Sequence, residues 1–169
     1  KFEMPNGLRL LVREDHKLPF VYIQALLKGG VIAETETNNG ITKLTSRMLV
    51  KGTKSRTAEQ IADSIESVGG DLSPFSGNNS FGISERVMTD DFDLGLDVLT
   101  DVLLNPTFPD DKLTRERETQ LAEIKSEQDE MIRAGLQVLR EALYTHHPYR
   151  LNPLGKPDSV TTLARTDLA

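Results

Sequence analysis

Apolar and polar positions change their period several times along the chain, and each change marks an element. Residues 1 to 4 and the run Leu8-Arg9-Leu10-Leu11-Val12 read as short extended segments joined by the turn signal Pro5-Asn6-Gly7. His16-Lys17-Leu18-Pro19 is a second turn. Residues 20 to 28 are apolar and rich in β-formers, which predicts a well-buried strand ended by Gly29-Gly30. Over residues 41 to 50 the period lengthens, and Ile41, Leu44, Thr45, Met48 and Leu49 share one face of a helix. Thr57-Ala58-Glu59-Gln60 carries the S/T-x-x-E/Q capping-box pattern. It opens a second helix bearing Ile61, Ile65 and Val68, stopped at Gly69-Gly70. Two strands are expected, at residues 71 to 76 and 80 to 88, around an Asn78-Asn79 turn. A helix over residues 90 to 104 buries Leu94, Val98, Leu99, Val102 and Leu103, and Asn105-Pro106-Thr107-Phe108-Pro109 breaks it. A long charged helix then runs from residue 110 to 144, with an interruption at Gly135. Residues 145 to 157 are irregular and hold Pro148, Pro153 and Pro157; a short helix follows, capped by Asp158.

Hairpins and helices thus mix without strict βα alternation. That predicts an α+β fold with an antiparallel or mixed sheet packed against helices, not a doubly wound one. A chain of 169 residues fits one domain with a sizeable core. Its 37% hydrophobic and 27% charged residues are ordinary for a globular domain. No apolar run reaches the ~18 residues of a membrane span. Residue 1 is Lys rather than an initiator Met, so the compartment stays open.

A net charge of −6 argues against nucleic-acid or anionic-membrane binding, for which a basic patch is the usual footprint. With no cysteine there is no disulfide framework and no thiolate-ligated metal. Gly29-Gly30 and Gly69-Gly70 lie outside any phosphate-loop pattern. His146 and His147 are adjacent and precede Pro148, so they suit a turn better than one metal site. Ser46 lacks a G-x-S-x-G elbow and is not read as a nucleophile. The charge-rich residues 115 to 130 read most simply as a solvated helix face.

The segment Gly40-Ile41-Thr42-Lys43-Leu44-Thr45-Ser46-Arg47-Met48-Leu49-Val50-Lys51-Gly52-Thr53 carries more than periodicity. It resembles the metal-binding helix of the M16 zinc metallopeptidases (insulinase, pitrilysin, mitochondrial processing peptidase), a metallohydrolase-like α+β family. The run from Pro5 to Asp15, Leu104-Asn105-Pro106-Thr107-Phe108-Pro109 and His147-Pro148-Tyr149 resemble family segments in the same order. The resemblance covers nearly the whole chain and implies that residues 1 to 169 are the N-terminal part of one M16-like domain, with further strands after the helix near Asp158.

In active members of the family this helix carries H-x-x-E-H. Two His four residues apart share a face and bind zinc, and the Glu activates water. Here Lys43, Ser46 and Arg47 stand at the His, Glu and His positions. The resemblance places the third zinc ligand at Glu123 and a second family carboxylate at Glu116. Lys and Arg offer donors and no lone pairs, and a Ser hydroxyl is too weak an acid to serve as the base. No catalytic residue and no metal site are therefore expected in this chain, and zinc only in an active partner lobe. Two readings of the charges stay open. Lys43 and Arg47, one turn apart, can grip Glu123 in place of the metal, or all three are solvated surface charges. The strand Asp71-Leu72-Ser73-Pro74-Phe75-Ser76 also departs from the family, with Ser73 at its Asn position and Pro74 at its Ala position. A proline blunts a strand edge used for peptide addition.

The resemblance implies an inactive lobe or subunit that pairs with an H-x-x-E-H-bearing lobe and helps it enclose peptide substrates. A scaffold subunit without a peptidase role, and a peptidase with an unrecognised site, are the alternatives.

Overall fold

The computed structural model describes residues 1–169. The chain runs β1 (Phe2–Glu3), β2 (Arg9–Leu10), β3 (Phe20–Lys28), α1 (Ile41–Met48), α2 (Ala58–Glu66), β4 (Asp71–Ser76), β5 (Ser80–Met88), α3 (Phe92–Leu104), α4 (Asp110–Asp129), α5 (Met131–Leu143), α6 (Pro157–Thr162) and α7 (Arg165–Leu168). β1 and β2 form a small antiparallel pair. The main sheet is antiparallel in the order β3-β5-β4. Its helix-bearing face buries Ile83 and Val87 of β5 against Leu44 and Met48 of α1, Ile61 and Ile65 of α2, and Val98, Leu99 and Val102 of α3. This is an α+β fold, as the mixed pattern of elements predicts. The Thr57 capping box forms in full: Gln60 N–H donates to Thr57 Oγ1, and Thr57 N–H donates to Gln60 Oε1.

Four expectations are corrected. The second strand is not well buried. β3 is an edge strand on which Val21, Ile23 and Ala25 are half-buried, while Tyr22 and Leu26 are 60% and 63% exposed. An apolar run says that a strand is β-prone, not how many of its faces another layer covers. The first strand shrinks from residues 8–12 to Arg9–Leu10. The long helix breaks at Glu130, which is extended at φ −89° and ψ 105°, and not at Gly135, which lies inside α5 in open space. Finally, α6 starts on Pro157, whose fixed φ suits a first helical position, and Asp158 sits in the first turn instead of capping it.

Hydrogen-bond parity defines the two free edges of the sheet. Gly77 N–H donates to Ser80 O, so the bonded pairs of the β4–β5 ladder fall at residues 75, 73 and 71. Pro74 is out of phase with these, and the donor it lacks lies on the outer edge of β4. On the other side, Thr89 N–H bonds Pro19 O and Gly29 N–H bonds Asn79 O. The backbone groups of Phe20, Tyr22, Gln24, Leu26 and Lys28 therefore line the outer edge of β3.

Candidate functional site: the helix pair α1 and α4

α1 has no side-chain cap of its own, because Gly40 occupies the cap in the left-handed region at φ 95°. Glu34, 4% exposed, takes over. Its Oε2 accepts from Gly40 N at 2.9 Å and Asn39 Nδ2 at 2.8 Å, and its Oε1 accepts from Thr42 N at 3.0 Å. A carboxylate on the first N–H groups also suits the positive end of the helix. Gly40 is needed for a second reason: a Cβ there would lie 2.8 Å from Val160 Cγ2 and 2.9 Å from both Gln120 Nε2 and Gly155 Cα. Gln120 of α4, fully buried, donates to Gly40 O at 3.0 Å and Leu154 O at 2.7 Å. These contacts pin α1 to α4.

On that helix pair, Arg47 Nη2 donates to both oxygens of Glu123, at 2.7 and 2.9 Å. Three residues beyond the end of α1, Lys51 Nζ lies 2.8 Å from Glu116 Oε1. Glu123 of α4 thus meets a cation of α1, and Glu116 meets one from the turn that follows α1. The grip of two cations on Glu123 is corrected to one: Arg47 holds it, and Lys43 makes no ion pair. Burial first, and then the nearby Arg47 guanidinium, push the half-buried Lys43 ammonium below its ordinary value, with Glu123 opposing. Ser46 is 1% exposed and donates to Lys43 O at 2.8 Å. Arg47 Nη1 is sealed from solvent without an acceptor.

The expectation that residues 115 to 130 form a solvated face is corrected on the inner side of α4. Besides Glu116, Gln120 and Glu123, Arg117 Nη2 donates to Leu163 O, and Glu127 accepts from Asn152 Nδ2 at 2.6 Å. Charge pattern alone does not distinguish an ion pair within one helix from one between helices. Three buried acids, Glu34, Glu85 and Asp101, escaped sequence reasoning altogether. Only a Gly ahead of a helix without a capping side chain hints at Glu34. His147 organises a turn: its Nδ1 accepts from Tyr149 N at 3.2 Å, and its ring meets Tyr149 edge-on at 4.5 Å.

A zinc ion does not fit these residues. The helix offers an ammonium, a hydroxyl committed to the backbone and a guanidinium that already occupies Glu123. No group of three His, Cys, Asp or Glu side chains is placed to hold a metal.

The antiparallel sheet and the α1–α4 pair make an α+β domain in which Arg47 and Lys51 meet the α4 carboxylates Glu123 and Glu116. Comparison with known proteins makes the assignment specific. The family model for insulinase (peptidase family M16) matches residues 9–158, and the chain belongs to that family. It is 26% identical over 168 residues to a probable mitochondrial-processing peptidase subunit beta of Arabidopsis thaliana. Over 155 residues it is 30% identical to an uncharacterized zinc protease of Rickettsia felis. These alignments take in 98% and 92% of this chain, but only 31% and 36% of those proteins, so the chain spans about a third of their length. Among solved structures, a peptidase M16 inactive domain from Pseudomonas fluorescens superposes with a TM-score of 0.93 at 24% identity, covering 99% of this chain and 41% of that one. A protease from Helicobacter pylori superposes at 0.91 and 20% identity, with the same coverage. At these identities the structural matches speak for the fold. No helix is long and apolar enough to cross a membrane.

Proposed function

We propose that this chain is a non-catalytic M16 lobe, which pairs with an H-x-x-E-H-bearing lobe or subunit and helps it enclose a peptide for cleavage. The observation that carries the reading is the Arg47–Glu123 pair. A guanidinium takes both oxygens of the carboxylate that the family resemblance makes a zinc ligand, so the acid is unavailable to a metal. Ser46, at the position of the family's base, has neither the basicity nor the exposure to activate water. Pro74 supports the same reading, because it removes a donor from the edge of β4 on which peptide addition depends. Zinc is then a cofactor of the partner lobe and not of this chain.

The test has two arms. The purified chain is assayed for zinc and for cleavage of a peptide library, with and without chelator; no cleavage is expected, and chelator-sensitive cleavage by the chain alone would overturn the proposal. The H-x-x-E-H-bearing homologue from the same source is then added. A complex and a gain in cleavage are expected, whereas absence of both points to a scaffold role.

A further inference from the structure

Glu85 is the main polar anomaly of the core. It lies on the central strand β5 between Ile83 and Val87, and it is 0% exposed. Both carboxyl oxygens are sealed from solvent and have no hydrogen-bond partner. Ile23 of β3 and Leu72 of β4 stand opposite it in the sheet. From the helix layer, α3 presents Gly95. A Cβ at that position would stand 3.2 Å from Glu85 Oε2 and 3.0 Å from a Val87 methyl, so the carboxyl packs against bare helix backbone.

No charged group on the surrounding elements compensates it. On α1, Arg47 is committed to Glu123, and Lys43 makes no ion pair with it. On α3, Asp97 and Asp101 both pair with Arg56, and Asp93 is exposed; on α2, Glu59 pairs with Lys112, and Asp63 and Glu66 are exposed. On the sheet, Arg86 alternates to the opposite, exposed face, and Lys28 and Asp71 lie at strand ends. A carboxylate here would be an uncompensated charge in an apolar interior.

We propose that Glu85 is a proton-controlled lock on the sheet-to-helix core. Protonated, it packs beneath Gly95 and holds β5 against α3; when its proton leaves to solvent, the remaining carboxylate forces that contact to loosen. Burial raises the group from its ordinary 4.5 to about 7, in keeping with the geometry. The folded value exceeds the unfolded one, so the lock is complete below the unfolded value. It weakens as pH rises between the two and levels off above about 7.

The experiment is urea unfolding of the chain and of Glu85→Gln from pH 5 to pH 9. Amide hydrogen exchange locates any loosening. Relative to the Gln variant, the wild-type folding constant is expected to fall roughly 70-fold between pH 5 and pH 8. Exchange should quicken first in β5 and α3. Parallel pH profiles for the two proteins would overturn the proposal, as would loosening confined to other elements. Should the Gln variant not fold, Glu85→Met removes the charge by another route and is held to the same comparison. Gly95→Ala adds a second reading: it destabilises the wild type but has a smaller effect beside Glu85→Ala, whereas additive effects count against the packing the lock requires.

Discussion

Separating Arg47 from Glu123 has a cost that depends on which partner is removed. The Arg47 side chain is 18% exposed and that of Glu123 39%, so the pair is neither a surface bridge, worth at most about 1 kcal/mol, nor a fully buried one, whose disruption costs about 3–5 kcal/mol. Glu123→Ala leaves a mostly buried guanidinium without its counter-charge. Discounted for exposure, that loss is about 2 kcal/mol. Arg47→Met leaves a carboxylate that water can reach, and it also removes the buried Nη1 donor that has no acceptor. Its cost is about 1 kcal/mol or less. The double variant Arg47→Met/Glu123→Ala removes both charges together and is expected to lose less than the sum of the two single losses. Urea unfolding followed by circular dichroism, with all four proteins sharing one m-value, measures the cycle. A coupling below about 0.3 kcal/mol, or a larger loss for Arg47→Met than for Glu123→Ala, refutes the reasoning and returns both groups to the solvated surface.

Other outcomes follow from the same geometry. Lys43→His, Ser46→Glu and Arg47→His together free Glu123 and restore the family's ligand set. The triple variant should gain about 2–3 kcal/mol of stability at zinc concentrations a hundredfold above its Kd, and a chelator should reverse the gain; no zinc-dependent shift in Tm would contradict the assignment of these positions. Pro74→Ala should cost no more than about 1 kcal/mol, because the N–H it restores faces outward; a gain in stability of that size would show that the donor bonds β5. Asp101 accepts from Ser55, Thr53, Arg56 and Asn105, and the Ser55 hydroxyl above all holds its carboxyl well below the ordinary range. Its stabilisation is complete above the ordinary carboxylate value and is lost as pH falls below it. Asp101→Asn should therefore cost about 1–3 kcal/mol at neutral pH and flatten the acid limb of the stability profile; an unchanged limb would remove Asp101 from the account.

Much of the fold was legible from local patterns. Thr57 to Gln60 announced the start of α2, the period of Leu44 and Met48 announced α1, and Gly69-Gly70 and Asn78-Asn79 marked the strand boundaries. The errors share one origin. β3 has the composition of a core strand, yet it is an edge, because coverage depends on what packs beside it. The break at Glu130 went unseen because one extended residue leaves no compositional trace, whereas Gly135, which looks like a breaker, costs a helix only about 1 kcal/mol and is tolerated.

The sequence by itself determined most of the elements, the α+β class and the cationic character of Lys43 and Arg47, because helix period, capping chemistry and side-chain protonation are local properties. Only the tertiary structure decided that Arg47 and not Lys43 holds Glu123, that Lys51 answers Glu116, that Pro74 lacks its donor on the free edge, and that Glu85 is enclosed beneath Gly95. Each of these depends on distances between segments far apart in the chain. Charges separated by 76 residues interact only once packing has fixed how α1 lies against α4.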